Sequence, residues 1–251
     1  MESLGTVDKA IDVLFALHGA AGAVGVTALA RTLGLPKSST HRLLATLARR
    51  GLVERGEGGR YRPGLGLVAL GLGRLERDPL CASARGVLER EARALGETVF
   101  LVAARGGRLL VLDKAEGSGF LRAAPQVGAV VPVHATAVGK LFLALAPDQI
   151  EMPAGALERF TPSTLRSARA LATAAAAVRA QGYAENRDEW IDGLSVVAAP
   201  ILARGTLRGA VAVAAASPRM AELGREAARR AVAAASEIGA RLEGRAEEDL
   251  S

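Results

Sequence analysis

Residues 34–53 read GLPKSSTHRLLATLARRGLV, and this stretch sets the architecture of the first part of the chain. Gly34 ends what precedes it, and Pro36 pre-sets the start of a new helix. That helix runs to about Arg50, with Thr40, Leu43, Leu44 and Leu47 on one face and Gly51 as its C-terminal stop. Lys37, Ser38, Ser39, His41 and Arg42 cluster at its N-terminal end, away from the leucines. This arrangement suits a recognition helix, whose first turns enter the major groove of DNA. Serine hydroxyls bond phosphates or base edges, and arginine pairs bidentately with guanine. A solvated charged helix is the plainer reading of the same residues, so the neighbouring elements carry weight.

Upstream, Val7, Ala10, Ile11, Leu14 and Leu17 recur at helical spacing, with Thr6 placed to cap the helix. Gly19, Gly22 and Gly25 break it, and Thr27 is placed to cap a short helix over 28–33. Downstream, LVERGEGGRYRPG (52–64) offers strand-like pieces at 52–55 and 60–62 around Glu57-Gly58-Gly59, where paired glycines suit positive φ. Arg60 and Arg62 in this hairpin fit phosphate or minor-groove contacts, though an ordinary basic hairpin fits them nearly as well. Helix, helix, tight turn, helix, hairpin is the order of a winged helix-turn-helix. With the turn before it and the wing after it, the recognition-helix reading of 37–42 prevails.

Composition agrees with that assignment and excludes several others. The 251 residues suit two domains, and half are apolar, so each can bury a core; aromatics are only 3%, so alanine, leucine and valine must fill it. Net charge is +6, of which residues 1–80 hold +4, from eleven Lys/Arg against seven Asp/Glu. A basic N-terminal third is what phosphate binding requires. The single cysteine, Cys81, forms no disulfide within the chain, and His18, His41 and His134 are too scattered for a zinc cluster. No uninterrupted apolar run reaches about 18 residues, and MESLGTVDKA lacks the order of a signal peptide, so a cytoplasmic protein without membrane, metal or cofactor is expected.

The helix expected at 65–75 serves as a linker, which places a DNA-binding domain at 1–64, a linker at 65–79 and a second domain at 80–251. In that second domain, helices at 82–95, 137–146 and 163–181 and a last helix opening at Pro218 alternate with strands at 98–104, 108–114, 194–202 and 207–215. Hairpins at Gly106-Gly107 and Arg204-Gly205 argue for an antiparallel sheet with helices packed on it, hence an α+β fold. The last helix carries Met220, Leu223, Ala227, Ala231, Ala234, Ile238 and Leu242 on one stripe, for the core or for an interface. His134 and Lys140 form no part of a triad motif, Asp188 and Glu189 read as solvated loop charge or a helix-end bond, and Gly64, Gly66, Gly71 and Gly73 follow no strand, which removes a dinucleotide-binding reading.

The motifs together resemble the IclR family of transcription regulators. TVDKAIDVLFAL (6–17), ALARTLGLPKSSTHRLLATLARRGLVER (28–55) and GGRYRPG (58–64) follow the pattern of its DNA-binding domain. VPVHATAVGKLFLA (131–144) and GYAENRDEWIDGLSVVAAPIL (182–202) resemble the stretches before its central helix and into its pocket-lining strand. The resemblance implies a sensor domain distantly like GAF and PAS folds, binding a small organic acid or aromatic metabolite. By position, its pocket would be lined by Phe120, Ala123, Val131, Ala137, Val138, Asn186, Leu194 and Val196. A family member that senses small keto acids carries an acidic residue in place of Asn186 and a cysteine in place of Val196. Both departures make this pocket less polar and favour a ligand with an apolar body and one polar end.

The expected function is therefore an effector-responsive regulator that binds operator DNA as a homodimer or a dimer of dimers. An enzyme of small carbonyl or amide substrates with an appended helix-turn-helix is the alternative from another class. A third reading is an architectural DNA-binding protein whose second domain only oligomerises, which a collapsed pocket would favour.

Overall fold

The computed structural model describes residues 5–20, 22–119, 125–153 and 155–248. The chain divides into two compact units, residues 1–77 and 78–251.

The first unit is built on α1 (Thr6–His18), α2 (Val26–Leu33) and α3 (Lys37–Arg49), with β1 (Val24–Gly25), β2 (Val53–Arg55) and β3 (Arg60–Pro63) forming a small antiparallel sheet in the order β1-β3-β2. Its core joins Val13 and Leu17 of α1, Leu29 of α2, Leu44 and Leu47 of α3, and Val53 and Tyr61 of the wing. The cap of α1 is Gly5, whose N–H donates to Asp8 at 3.0 Å, rather than Thr6, which is the first helical residue. Helix α2 likewise starts at Val26, ahead of Thr27. Gly34 takes φ +63, and Leu35 N–H closes back on Ala30 O at 2.9 Å, a Schellman stop that turns the chain toward α3. Gly58 and Gly59 take positive φ at the wing tip, as expected. Gly64 follows β3 directly, which corrects the expectation that no strand precedes it. Helix α4 (Leu65–Glu76) completes this unit.

The second unit opens with α5 (Pro79–Leu95), capped by Asp78, which accepts from Leu80 N–H at 3.0 Å. Its sheet comprises β4 (Thr98–Arg105), β5 (Arg108–Ala115), β6 (Val130–Val131), β7 (Ala184–Arg187), β8 (Leu194–Ala203) and β9 (Thr206–Ala216), in the order β6-β5-β4-β9-β8-β7 and antiparallel throughout. Strand alternation sends Phe100, Val102, Ala198, Ala212 and Ala214 to one face, where α6 (Ala137–Leu145) and α7 (Ala168–Gln181) cover them. Helices α5 and α9 (Arg225–Glu248) pack on the sheet's other residues. Three alanines of the C-terminal stripe, at 227, 231 and 234, are buried with Ile238, so that stripe serves the core. The expected single last helix is two: α8 (Ser217–Leu223) stops at Gly224, and α9 starts anew. The helix expected at 163–181 begins only at Ala168, capped by Ser167, because Thr161 and Thr164 form a hydrogen-bonded turn instead. Helix α6 sits hard on the segment before it. A Cβ at Gly139 would lie 1.8 Å from Val133 O, so only glycine permits that approach.

Candidate functional sites: nucleic-acid interface and effector cavity

Helix α3 hangs on its inward stripe. Thr40 is fully buried and donates to Pro36 O at 3.1 Å, while Leu44 and Leu47 enter the core. The opposite surface is thereby fixed outward. Lys37, Ser38, His41 and Arg42 are exposed and Ser39 is half-buried. Continuing along that surface are Ala45, Thr46 and Arg49, the last donating to Thr46 Oγ1 at 3.4 Å. Arg49 is not among the DNA-reading residues expected from the sequence, although its spacing of seven from Arg42, two helical turns, places it on the same side.

The wing treats its arginines differently. Arg60 is exposed. Arg62 donates twice to Glu54 across the β2–β3 ladder, at 2.9 and 3.1 Å, and Glu54 also accepts from Leu65 N–H. Arg55 lies over the Tyr61 ring, 6.0 Å from its centroid. An exposed pair such as Arg62–Glu54 is worth at most about 1 kcal/mol, so Arg62 can exchange its partner for a phosphate at little cost.

In the second unit, a small cavity lies where α6 meets the sheet. Val131, Ala137, Val138, Asn186, Leu194 and Val196 all line it, together with Phe100, Pro125, Thr136, Trp190 and Ile191. Phe120 and Ala123 fall outside the described residues. Trp190 is the chain's single tryptophan, and it was missed although it stands within the quoted motif. The cavity measures about 20 Å³, room for one water.

Its polar groups are few and mostly engaged. Asn186 is buried; its amide donates to Ala135 O at 2.5 Å and accepts from Glu189 N–H at 3.1 Å. Thr136 caps α6, accepting from Gly139 N–H at 3.0 Å and donating to Pro132 O at 2.7 Å. The Ala137 and Val138 N–H groups precede the first intrahelical bond, so the positive end of α6 faces the cavity.

The segment bearing Trp190 is pinned from several sides. Lys140 Nζ contacts Glu189 Oε1 at 2.5 Å and Glu185 O at 2.8 Å, with both charged side chains more than nine-tenths buried. Thr164 Oγ1 donates to Glu189 O at 2.6 Å, and Thr161 Oγ1 to Asp188 O at 2.5 Å. Asp188 Oδ1 accepts from Ser217 Oγ at 2.5 Å. These contacts overturn the solvated-charge reading of Asp188 and Glu189, while the bond from Ser217, first residue of α8, to Asp188 is the helix-end bond that stood as its alternative. His134 is buried, bonded through Nε2 to Glu158 O at 2.9 Å and stacked on Phe160, while Lys140 is committed to its ion pair. Among the described residues no group of His, Cys, Asp and Glu is arranged to hold a metal, and no helix is long and apolar enough to cross a membrane.

A winged helix-turn-helix followed in the chain by a sheet domain with an apolar cavity defines a DNA-binding regulator that carries a small-molecule-sensing domain. Comparison with known proteins agrees. The family described as bacterial transcriptional regulator IclR C-terminal matches residues 73–240, and the IclR helix-turn-helix domain matches residues 6–57. The chain belongs to the IclR family of bacterial transcription regulators. It is 33% identical over 205 residues to the HTH-type transcriptional regulator XynR of Escherichia coli K12, covering 80% of this chain and 81% of that one. The crystal structure of an IclR-type regulator from Alicyclobacillus acidocaldarius matches with TM-score 0.81 at 26% identity, covering 97% and 99% of the two chains. An IclR homologue from Microbacterium hydrocarbonoxydans, crystallised with 4-hydroxybenzoate, shares the fold with TM-score 0.83 at 23% identity, over 96% of this chain and 100% of that one.

Proposed function

We propose that the protein reads operator DNA through Lys37, Ser38, Ser39, His41 and Arg42 of α3, anchors on phosphates through Arg60 and Arg62, and responds to an aromatic acid held at the α6 cavity without turning it over. The observation that carries the effector reading is the cavity lining: aromatic and aliphatic walls with one open polar feature, the N-terminus of α6 at Ala137 and Val138. A carboxylate fits that end, because unpaired N–H groups and the helix dipole both favour an anion. The ring then lies against Phe100, Val131, Leu194, Val196 and Trp190. The 4-hydroxybenzoate bound by a homologue of the same fold supports this ligand class.

The cavity's size favours a second reading, in which the domain only oligomerises. Ligand pockets commonly measure roughly 300–1,000 Å³, far above what is enclosed here, so the effector has to displace part of the wall. Thermal-shift titration separates the readings. Stabilisation by 4-hydroxybenzoate that exceeds any by pyruvate or glyoxylate supports the aromatic-acid sensor, a larger shift with the keto acids overturns the apolar-pocket argument, and no shift with either supports the oligomerisation domain.

Binding of a two-fold operator requires a second copy of the chain, since one recognition helix covers few base pairs. Val7, Ile11 and Phe15 of α1 are exposed, as are Leu65, Val68, Leu70 and Leu72 of α4, and they supply the apolar surface for that association. For DNA reading, Arg42→Ala should cost about 1–3 kcal/mol at the specific site. Equal loss on random DNA would assign Arg42 to a phosphate instead.

A further inference from the structure

A second, larger cavity lies on the face of the sheet away from α6, between the β7–β8 edge and the start of α8 and α9. It measures about 440 Å³ and, among the described residues, shares only Asn186 and Val196 with the proposed effector cavity. The run Glu185 to Asp188 separates the two: Asn186 turns its amide toward Ala135, while Glu185, Arg187 and Asp188 border the larger space.

The hydrogens at the inner end of this cavity are all committed. Ser217 Oγ donates its one proton to Asp188 Oδ1 at 2.5 Å. Ser195 Oγ lies 2.8 Å from Ser217 Oγ, and since the Ser217 proton is already used, Ser195 must be the donor of that pair. The chain of protons runs Ser195 to Ser217 to Asp188. What it leaves on these two lining residues is acceptor capacity: lone pairs on Ser195 Oγ, which belongs to a residue only 4% exposed, and the carboxylate of Asp188, which can accept further bonds. A group that brings several donors is the complement of such an end, and a protonated amine brings three.

The outer end has the opposite character. Arg187 and Arg225 are exposed at the border of the same cavity, Arg187 sharing its charge with Glu185 at 2.9 Å. The charged lining is therefore balanced, Glu185 and Asp188 against Arg187 and Arg225, so a simple anion or simple cation gains no net field from it. The separation of acceptors inside from arginines outside favours a ligand whose own charges are separated in the same sense. Val196, Val197, Met220 and Ala221 supply apolar wall of the same cavity, against which a side chain can lie.

We propose that this cavity is a second small-molecule site, which takes a free α-amino acid with its ammonium on Asp188 and Ser195 and its carboxylate toward Arg225. The proposal is independent of the aromatic-acid reading, because it concerns the other face of the sheet and its test measures binding of a different ligand.

The test is calorimetric titration of the full chain with the common L-amino acids, each paired with its N-acetyl derivative, and with glycerol and xylose as neutral polyols. At least one amino acid should bind saturably at millimolar or lower concentration. Its N-acetyl form, which lacks the ammonium, should bind at least about tenfold more weakly, as should the free amino acid to Asp188→Asn, since hydrogen bonds to charged groups are among the stronger ones. Arg225→Ala, an exposed change that leaves the core untouched, should weaken binding severalfold and keeps the test alive if Asp188→Asn disturbs folding. The proposal is overturned if no amino acid binds, if N-acetylated forms or polyols bind equally well, or if the folded variants bind as tightly as the unaltered protein.

Discussion

Lys140→Met removes one half of the ion pair that holds the Trp190 segment against α6. In the native protein Lys140 Nζ faces Glu189 Oε1 at 2.5 Å and also donates to Glu185 O, and Glu189 Oε2 is buried without a hydrogen-bond partner. The variant keeps the aliphatic length of the side chain but leaves a buried carboxylate with only the Arg187 N–H at 3.4 Å. Stranding one partner of a buried pair costs about 3–5 kcal/mol, a third or more of what many domains possess. For a unit of this size that corresponds to a fall in melting temperature of roughly 10 °C. Adding Glu189→Leu removes the stranded charge, so the double variant should recover most of the loss. About 1–2 kcal/mol should remain, because the Glu185 carbonyl also loses its donor. Denaturant unfolding of the four proteins of this cycle, followed by circular dichroism, measures the coupling directly. A single-variant cost below about 1 kcal/mol, or additive effects in the double variant, would show that the pair is not held out of water and would refute the reasoning.

Two further changes test other parts of the molecule. Gly34→Ala forces a side chain into φ +63 at the turn between α2 and α3 and should destabilise the first unit by about 1–2 kcal/mol; an unchanged unfolding midpoint would mean that the turn relaxes. Glu237 has its carboxyl held below the usual range, chiefly by its hydrogen bonds from Arg90, with Arg241 adding to the effect. A depressed folded value stabilises above the unfolded value and is lost as pH falls through the folded one, so Glu237→Gln should cost up to about 1 kcal/mol at neutral pH, less in high salt, and nothing in strong acid. A cost that persists unchanged to pH 2 would assign it to shape rather than charge.

What was legible in the sequence was what neighbouring residues decide among themselves. Gly34 followed by Pro36, and Gly58-Gly59 between two short strand-like pieces, specify turns through local φ, and the helix-turn-helix follows from them. The stop at Gly224 was hidden, because the apolar stripe continues in phase through it. Strand β7 was hidden because its four residues gain their place only by pairing with Ser195 to Ala198. The burial of Glu189 could not be read for the same reason, since its partner Lys140 lies 49 positions away. The family resemblance places Asn186 at the cavity. The sequence could not reveal that its amide is already bonded to Ala135 and Glu189, which makes it a strut of the cavity before it is a contact for a ligand.

That strut bears on how the proposed effector cavity would open. Enlarging 20 Å³ to admit a ring requires some wall to yield, and the anchors say which. Glu189 is tied to Lys140 and Thr164, Asp188 to Thr161 and Ser217, and Gly193 O accepts from Ser217 N–H at 2.9 Å. Between these fixed points stand Trp190, half-buried, and Ile191, 41% exposed, both on the cavity wall. Their side chains can turn outward without breaking the ion pair or the Asn186 bridge, so among the described residues they offer the opening of lowest cost. Because Trp190 is the only tryptophan, its emission reports that motion without a label. Titration with 4-hydroxybenzoate, excited at the red edge of the indole band, should shift or quench the emission over the same concentration range as the thermal stabilisation. Trp190→Phe should remove the signal while retaining stabilisation. If calorimetry shows the ligand bound and the Trp190 emission is unmoved, the wall that yields is another one, and the gate assigned to Trp190 and Ile191 is wrong.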